Sequence, residues 1–402
     1  MTFRQLAPWA FLLLVGCQEK LTAPADCPAL CPGGIAQVFE EVVYPISGSD
    51  SSFRGYVQPY NSAALLASNG LQGQEQRAIM RFPALNDSVS VRDTLRSYVV
   101  DSVALSLTVM ARDTNVNGLQ LDLYRLPPTI DTATTFADVD PSFSPTNLVT
   151  QIPVADSVNA GVVRVVLQGP DLAKVALGPT DGGVLALGVR VNAPVITGVR
   201  LGAIGSLGGV FTTYATADIP DTGTAKLRTF ALPAAFGSYV PAIQQAADPT
   251  MLSIGGEPSA RAIMRFELPA RIKDSANIVR ATLELTPVTP IEGLPTDPLH
   301  LQGRAVLADL GAKSPVNNAA GRVPEDTVES GTSGTVSLEA VRLVEQWIGL
   351  VSQPAALIVS VAPQQEAATF SRPVFYSSLA ADSAVRPRLR ISYLLSFPFE
   401  NP

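Results

Sequence analysis

The chain has 402 residues, of which 47% are apolar and 16% charged, against roughly 25% charged in an average soluble domain. That balance excludes a disordered polypeptide and leaves chain enough for two or three packed cores. With 28 Lys and Arg against 35 Asp and Glu the net charge is −7, so the cationic excess on which nucleic-acid binding draws is missing. A single histidine, His300, excludes most metal sites and any Ser-His or Cys-His mechanism that needs a second His.

The chain opens with Arg4, the apolar run from Leu6 to Val15, and then Leu14-Val15-Gly16-Cys17. About ten apolar residues are too few to span a ~30 Å hydrocarbon layer, but they suit a secretory signal. Leu14-Val15-Gly16-Cys17 resembles the lipobox of bacterial lipoprotein signal peptides. The resemblance implies loss of residues 1–16, a thioether lipid on Cys17 and acylation of the new amino terminus. Several acyl chains on one residue anchor durably where one would not. Gln18 stands where members retained at the inner membrane carry Asp, so the expected address is the outer membrane of a bacterial envelope, on its periplasmic face or at the cell surface. Cys27 and Cys31, in an oxidising compartment, are expected to pair across a short loop; a metal pair is the alternative, but no further Cys or neighbouring His completes a site. Residues 17–34 read as a tether.

The body repeats itself. Arg77-Ala78-Ile79-Met80-Arg81-Phe82 recurs as Arg261-Ala262-Ile263-Met264-Arg265-Phe266. Around it, Gly55-Tyr56-Val57 matches Ser238-Tyr239-Val240, Ala104 to Thr108 matches Thr282 to Thr286, and Lys226-Leu227-Arg228 matches Arg388-Leu389-Arg390. The colinear order predicts an internal duplication, with one module over 35–231, a second over 232–397 and a tail at 398–402. Val103 to Val109 alternates with period two, as does Ile278 to Leu285 more loosely; Gly161 to Leu167, Gly183 to Val191 and Ala356 to Val361 read as buried strands. Pro127-Pro128, Asp181-Gly182-Gly183, Gly208-Gly209 and Gly255-Gly256 mark turns. Leu338, Val341, Val344, Trp347 and Ile348 fall at helical spacing, which predicts one amphipathic helix over 337–350 capped by Ser337, with a weaker counterpart at 169–175. Many short strands without alternating helices predict an all-β chain of two tandem antiparallel jelly-roll-like β-sandwiches, with one short helix in the second.

The run Arg261 to Leu268, then Ile278 to Leu285, Val336 to Trp347, Phe375-Tyr376-Ser377-Ser378 and Arg386 to Tyr393 resembles the DNRLRE-domain family of secreted bacterial proteins. The likeness covers most of residues 233–395. It covers the first copy more thinly, because the Trp helix and the Arg-Pro signature are absent there. It implies a carbohydrate-binding-like sandwich of exported, cell-surface and polysaccharide-related proteins. The matching positions are mostly core positions, so they speak to fold more than to ligand.

On a strand, Ala78, Met80 and Phe82 face one way and Arg77, Ile79 and Arg81 the other. Arg77, Arg81, Arg261 and Arg265 therefore read either as a bidentate grip on an acidic or sulfated sugar or as ion pairs with neighbouring strands. Tyr56 and Tyr239 read as sugar-stacking rings or as ordinary packing. Asp138 and Asp140 share one side of an extended segment and are a candidate start of a structural calcium site, the alternative being a solvated loop; no other cofactor is expected. Glu325, Asp326 and Glu329 read as solvent-facing. No carboxylate pair, Gly-x-Ser-x-Gly elbow or phosphate loop nominates an enzyme. The expected function is a non-catalytic envelope lipoprotein that binds or displays polysaccharide, with a structural or adhesive subunit of a surface assembly, bound to another envelope protein, and a polysaccharide-degrading component as the alternatives.

Overall fold

The computed structural model describes residues 38–395 apart from 85–87, 92, 177–182, 204, 220–223, 243–247, 249, 320–322 and 351. The leader 1–16, the tether 17–34 with Cys17, Cys27 and Cys31, and the tail 398–402 lie outside the described residues.

The chain begins with β1 (Val38–Val43) and β2 (Ser51–Arg54). There follow β3 (Ala64–Asn69), β4 (Glu75–Arg81), the small hairpin β5 (Val89–Val91) and β6 (Thr94–Arg96), β7 (Val99–Arg112) and β8 (Gln120–Leu126). After helix α1 (Phe136–Val139) come β9 (Leu148–Pro153), β10 (Gly161–Leu167), α2 (Pro170–Val175), β11 (Ala186–Asn192), β12 (Gly198–Gly202) and β13 (Val210–Ile219). The second copy repeats the order with β14 (Thr224–Pro233), β15 (Phe236–Pro241), β16 (Met251–Ser253), β17 (Ala260–Arg265), α3 (Ala270–Ser275), β18 (Ala276–Leu285) and β19 (Leu299–Ala305). It closes with β20 (Glu325–Val328), β21 (Val336–Glu339), α4 (Val341–Gly349), β22 (Ala356–Val361), β23 (Val374–Tyr376) and β24 (Arg388–Leu395).

The fold is all-β, and its strand ladders are antiparallel. One sandwich sets β14-β13-β7-β10 against β15-β4-β11-β8-β9, with the pair β3–β12 joining the two layers. The other sets β1-β24-β18-β21 against β2-β17-β22-β19-β20, with β16–β23 in the same connecting place. From β3 to β13 and from β16 to β24, the strands of these ladders correspond one to one, the hairpin β5–β6 being an addition to the first copy.

The leading strands are the exception to a simple tandem. β1 and β2 precede the first copy, yet they pair with β24 and β17 of the second. β14 and β15 precede the second copy, yet they pair with β13 and β4 of the first. Each copy lends its first two strands to the other. The expected division at 35–231 and 232–397 is therefore not the division of the sheets, which group 64–241 together and join 38–54 to 251–395. Two of the expected matches shift with it. Arg388-Leu389-Arg390 corresponds to β13, since β24 and β13 both border the long central strands β18 and β7. Tyr239 pairs with Ala78 as Ser52 pairs with Ala262, so Tyr239 and Tyr56 do not occupy matching places.

Period-two patterning builds both cores. Ala78, Met80 and Phe82 join Leu105, Leu107, Leu187 and Val199 between the layers, while Ile79 packs outward with Phe143 and Val139. Ala262, Met264 and Phe266 do the same beside Leu283, Leu389 and Trp347. The predicted helix over 337–350 is corrected at its start. Ser337 lies in β21, where Val336 and Leu338 face the second core and pair with Leu285 and Leu283; the helix begins at Val341 after an Ala340 cap. α3 adds another short helix to that half. Leu66, Ala111 and Tyr239 of the first sandwich meet Leu294 and Phe370 of the second in an apolar seam. An added Cβ at Gly198 would stand 2.7 Å from the Phe370 ring, so only glycine admits that ring.

Candidate functional site

The repeated arginines stand on the outward faces of β4 and β17, as the alternation requires, and each has partners. Arg77, 4% exposed, donates from Nε to Glu75 Oε1 at 2.8 Å and from Nη1 to Asp140 Oδ1 at 2.7 Å. Its guanidinium lies 4.2 Å from the centre of the Phe136 ring and 4.5 Å from that of Phe143. Arg81 donates to the Ile130 carbonyl at 2.9 Å. Arg265 holds Asp309 through two bonds of 2.5 and 2.8 Å, and that hydrogen bonding keeps the Asp309 carboxyl below its usual range. Arg261 forms a bidentate pair with Glu366 at 2.7 and 2.9 Å over the Tyr56 ring, 4.2 Å away. Tyr56 donates its hydroxyl to Ala312 O at 2.6 Å, and Tyr239, buried in the seam, donates to Ala367 O at 2.7 Å.

Asp138 and Asp140 are spent separately. Asp138 Oδ2 accepts from the Thr135 backbone N–H at 2.8 Å and hydroxyl at 2.7 Å, a helix cap that lowers its pKa; Asp140 belongs to Arg77. The two carboxylates bond to different partners, and among the described residues no group of three or more His, Cys, Asp or Glu side chains converges as metal ligands. His300, on β19, sits 3.3 Å from Glu325 Oε1.

The arginine strands end in different surroundings in the two halves. Tyr124 pairs with Gly188 as Arg304 pairs with Ile358, and Gly188 and Ile358 pair with Ile79 and Ile263; Tyr124 and Arg304 thus stand at the same point of the two outer faces. In the first half the segment between β8 and β9 closes that face. Phe143 packs on Tyr124 with ring centres 5.0 Å apart and fills the space beside Gly188, where a Cβ would stand 2.5 Å from the ring.

In the second half the corresponding face opens into a cleft of about 480 Å³ lined by Arg261, Gln302, Arg304, Asn318 and Glu366. Arg304 donates from Nη1 to Ser360 Oγ at 2.7 Å and from Nη2 to Gln302 Oε1. Burial and then the neighbouring Arg261 charge lower its pKa. Among the described residues no carboxylate lies within ion-pair distance of it. No protein-family model matches the chain, and no curated protein does. Of the four arginines and two tyrosines singled out from sequence as sugar contacts, only Arg261 lines this cleft. Gln302, Arg304, Asn318 and Glu366 were missed. The one available signal was the alternation His300, Gln302, Arg304 along a strand whose other positions are apolar or glycine.

Proposed function

We propose that the chain is a non-catalytic bacterial envelope lipoprotein, held through a lipid on Cys17, that binds or displays extracellular polysaccharide through the open cleft of its second sandwich. Its carrying observation is the Arg304 guanidinium, nearly buried at the cleft and held by a hydroxyl and an amide but, among the described residues, by no carboxylate. A charged group so placed favours an anionic partner, and the planar fork of Arg suits a carboxylate or sulfate bidentately. Gln302 and Asn318 supply the amide donors and acceptors that sugar hydroxyls use. The lipobox supports the anchor, and the likeness to DNRLRE-domain sequences supports the glycan.

The test is binding of the full chain to immobilised neutral and acidic polysaccharides. Acidic polymers are expected to bind, and Arg304→Gln is expected to weaken them at least about tenfold, since a hydrogen bond to a charged group contributes roughly 1.5–3 kcal/mol. Arg81→Ala, on the closed face, is expected to leave binding unchanged. Absence of binding to every polysaccharide would turn the reading to a structural or adhesive subunit, and release of new reducing ends to a degrading enzyme.

A further inference from the structure

The seam between the sandwiches holds a buried carboxyl that the ligand-binding reading does not use. Glu257 lies between β16 and β17 and is 5% exposed. Its partners come from the other half. Gln74 Nε2 donates to Glu257 Oε1 at 2.7 Å, and Gln76 Nε2 donates to the same oxygen. Ser68 Oγ is 3.3 Å from Gln76 Oε1 and 2.9 Å from the Gln74 carbonyl, an arrangement that turns the Gln76 amide nitrogen toward Glu257. Two cations act on the group, Arg372 from the segment before β23 and Arg54 from the exchanged strand β2, and both favour its ionised form. Tyr239 from β15 faces it as well, its hydroxyl pushed well above the usual value by burial and by the Glu257 charge. One carboxyl of the second half is thus hydrogen-bonded to the first and feels the charge of a cation on an exchanged strand.

We propose that Glu257 is a proton-operated clasp between the two sandwiches, holding the seam shut when protonated and loosening it when ionised. The physical basis is burial. Desolvation outweighs both arginines and both amides and pushes the carboxyl up to about 7 from 4.5. The folded state therefore keeps a proton that an open, hydrated Glu257 releases. The stabilisation is fully present below the lower of these values and is lost as pH rises through the higher. A second seam carboxyl, Asp297, accepts from Arg200 Nη1 and from Thr369 Oγ1, and burial raises it too. Its contribution is common to wild type and to any Glu257 variant.

The test is amide hydrogen exchange of the full chain at residues 66–76 and 367–372, from pH 5 to 8.5, each rate divided by that of Glu257→Gln at the same pH. The ratio cancels base catalysis and the Asp297 contribution. It is expected to rise on the order of tenfold to a hundredfold between pH 5 and 8.5, most of it below about 7 and levelling off above, because the open carboxyl ionises first and the closed one only near the higher value. A ratio independent of pH overturns the proposal. Arg372→Met decides independently, including the case in which Glu257→Gln does not fold: losing one cation is expected to move the wild-type transition to higher pH, and an unmoved or lowered transition overturns it.

Discussion

A fragment of residues 60–242 is expected to keep its sheet protection in hydrogen exchange, whereas fragments 35–231 and 232–397 lose it. The first contains every strand of its sandwich, including β14 and β15. Fragment 35–231 lacks β15, the partner of β4 from Gln76 to Arg81, and carries β1 and β2 with no strand to pair. Fragment 232–397 lacks β1 and β2. Without them, β24 loses six register pairs, Tyr393 loses its stacked neighbour Phe39 at 5.7 Å, and Val43 leaves the second core. Bared edges of this kind present unpaired N–H and C=O rows and favour aggregation. Protection of the second sandwich in 232–397 equal to that in the full chain would show that the exchanged strands are dispensable. The effect is large because a sandwich edge contributes hydrogen bonds and core side chains together.

Arg77→Ala is expected to destabilise the first sandwich by about 3 kcal/mol, toward the low end of what removing one partner of a buried ion pair costs. Two facts hold it there. Glu75 keeps Arg190 Nε at 3.0 Å, and the Asp140 side chain is 55% exposed, so water takes over its charge. What remains is the guanidinium between Phe136 and Phe143, a desolvated cation–π contact of roughly 2 kcal/mol, and the cavity left behind. In thermal unfolding this amounts to a fall of roughly 6–12 °C for a unit of this size. Polysaccharide binding is expected to survive at temperatures below the transition. A variant that loses binding while its melting point holds would return Arg77 to the binding machinery.

The repeated hexamer shows which parts of the site were readable. Small-Met-Phe on alternate positions placed Ala78, Met80 and Phe82 in the core and turned both arginines outward, and the structure keeps that arrangement in both copies. What an outward arginine meets depends on a segment far along the chain: Asp140 for Arg77, Glu366 for Arg261. Arg304 was invisible for the same reason, because its value as a site comes from the openness of a face that Phe143 closes in the other copy. Ser337 was misplaced because Leu338 satisfies a helical period and a strand period at once, and pairing with β18 settled which applied.

Residue order alone dictated the all-β class, the doubling and most strand positions, since period-two alternation and turn residues act within a few neighbours. It left open which edge each strand joins. Backbone N–H and C=O groups are the same at every edge, so β1 and β2 carry no mark that sends them to the second copy rather than to the one they precede. Only the packed molecule decides that, because only there do Val43 and Phe39 find an apolar interior, and only there does Glu257 lose its water.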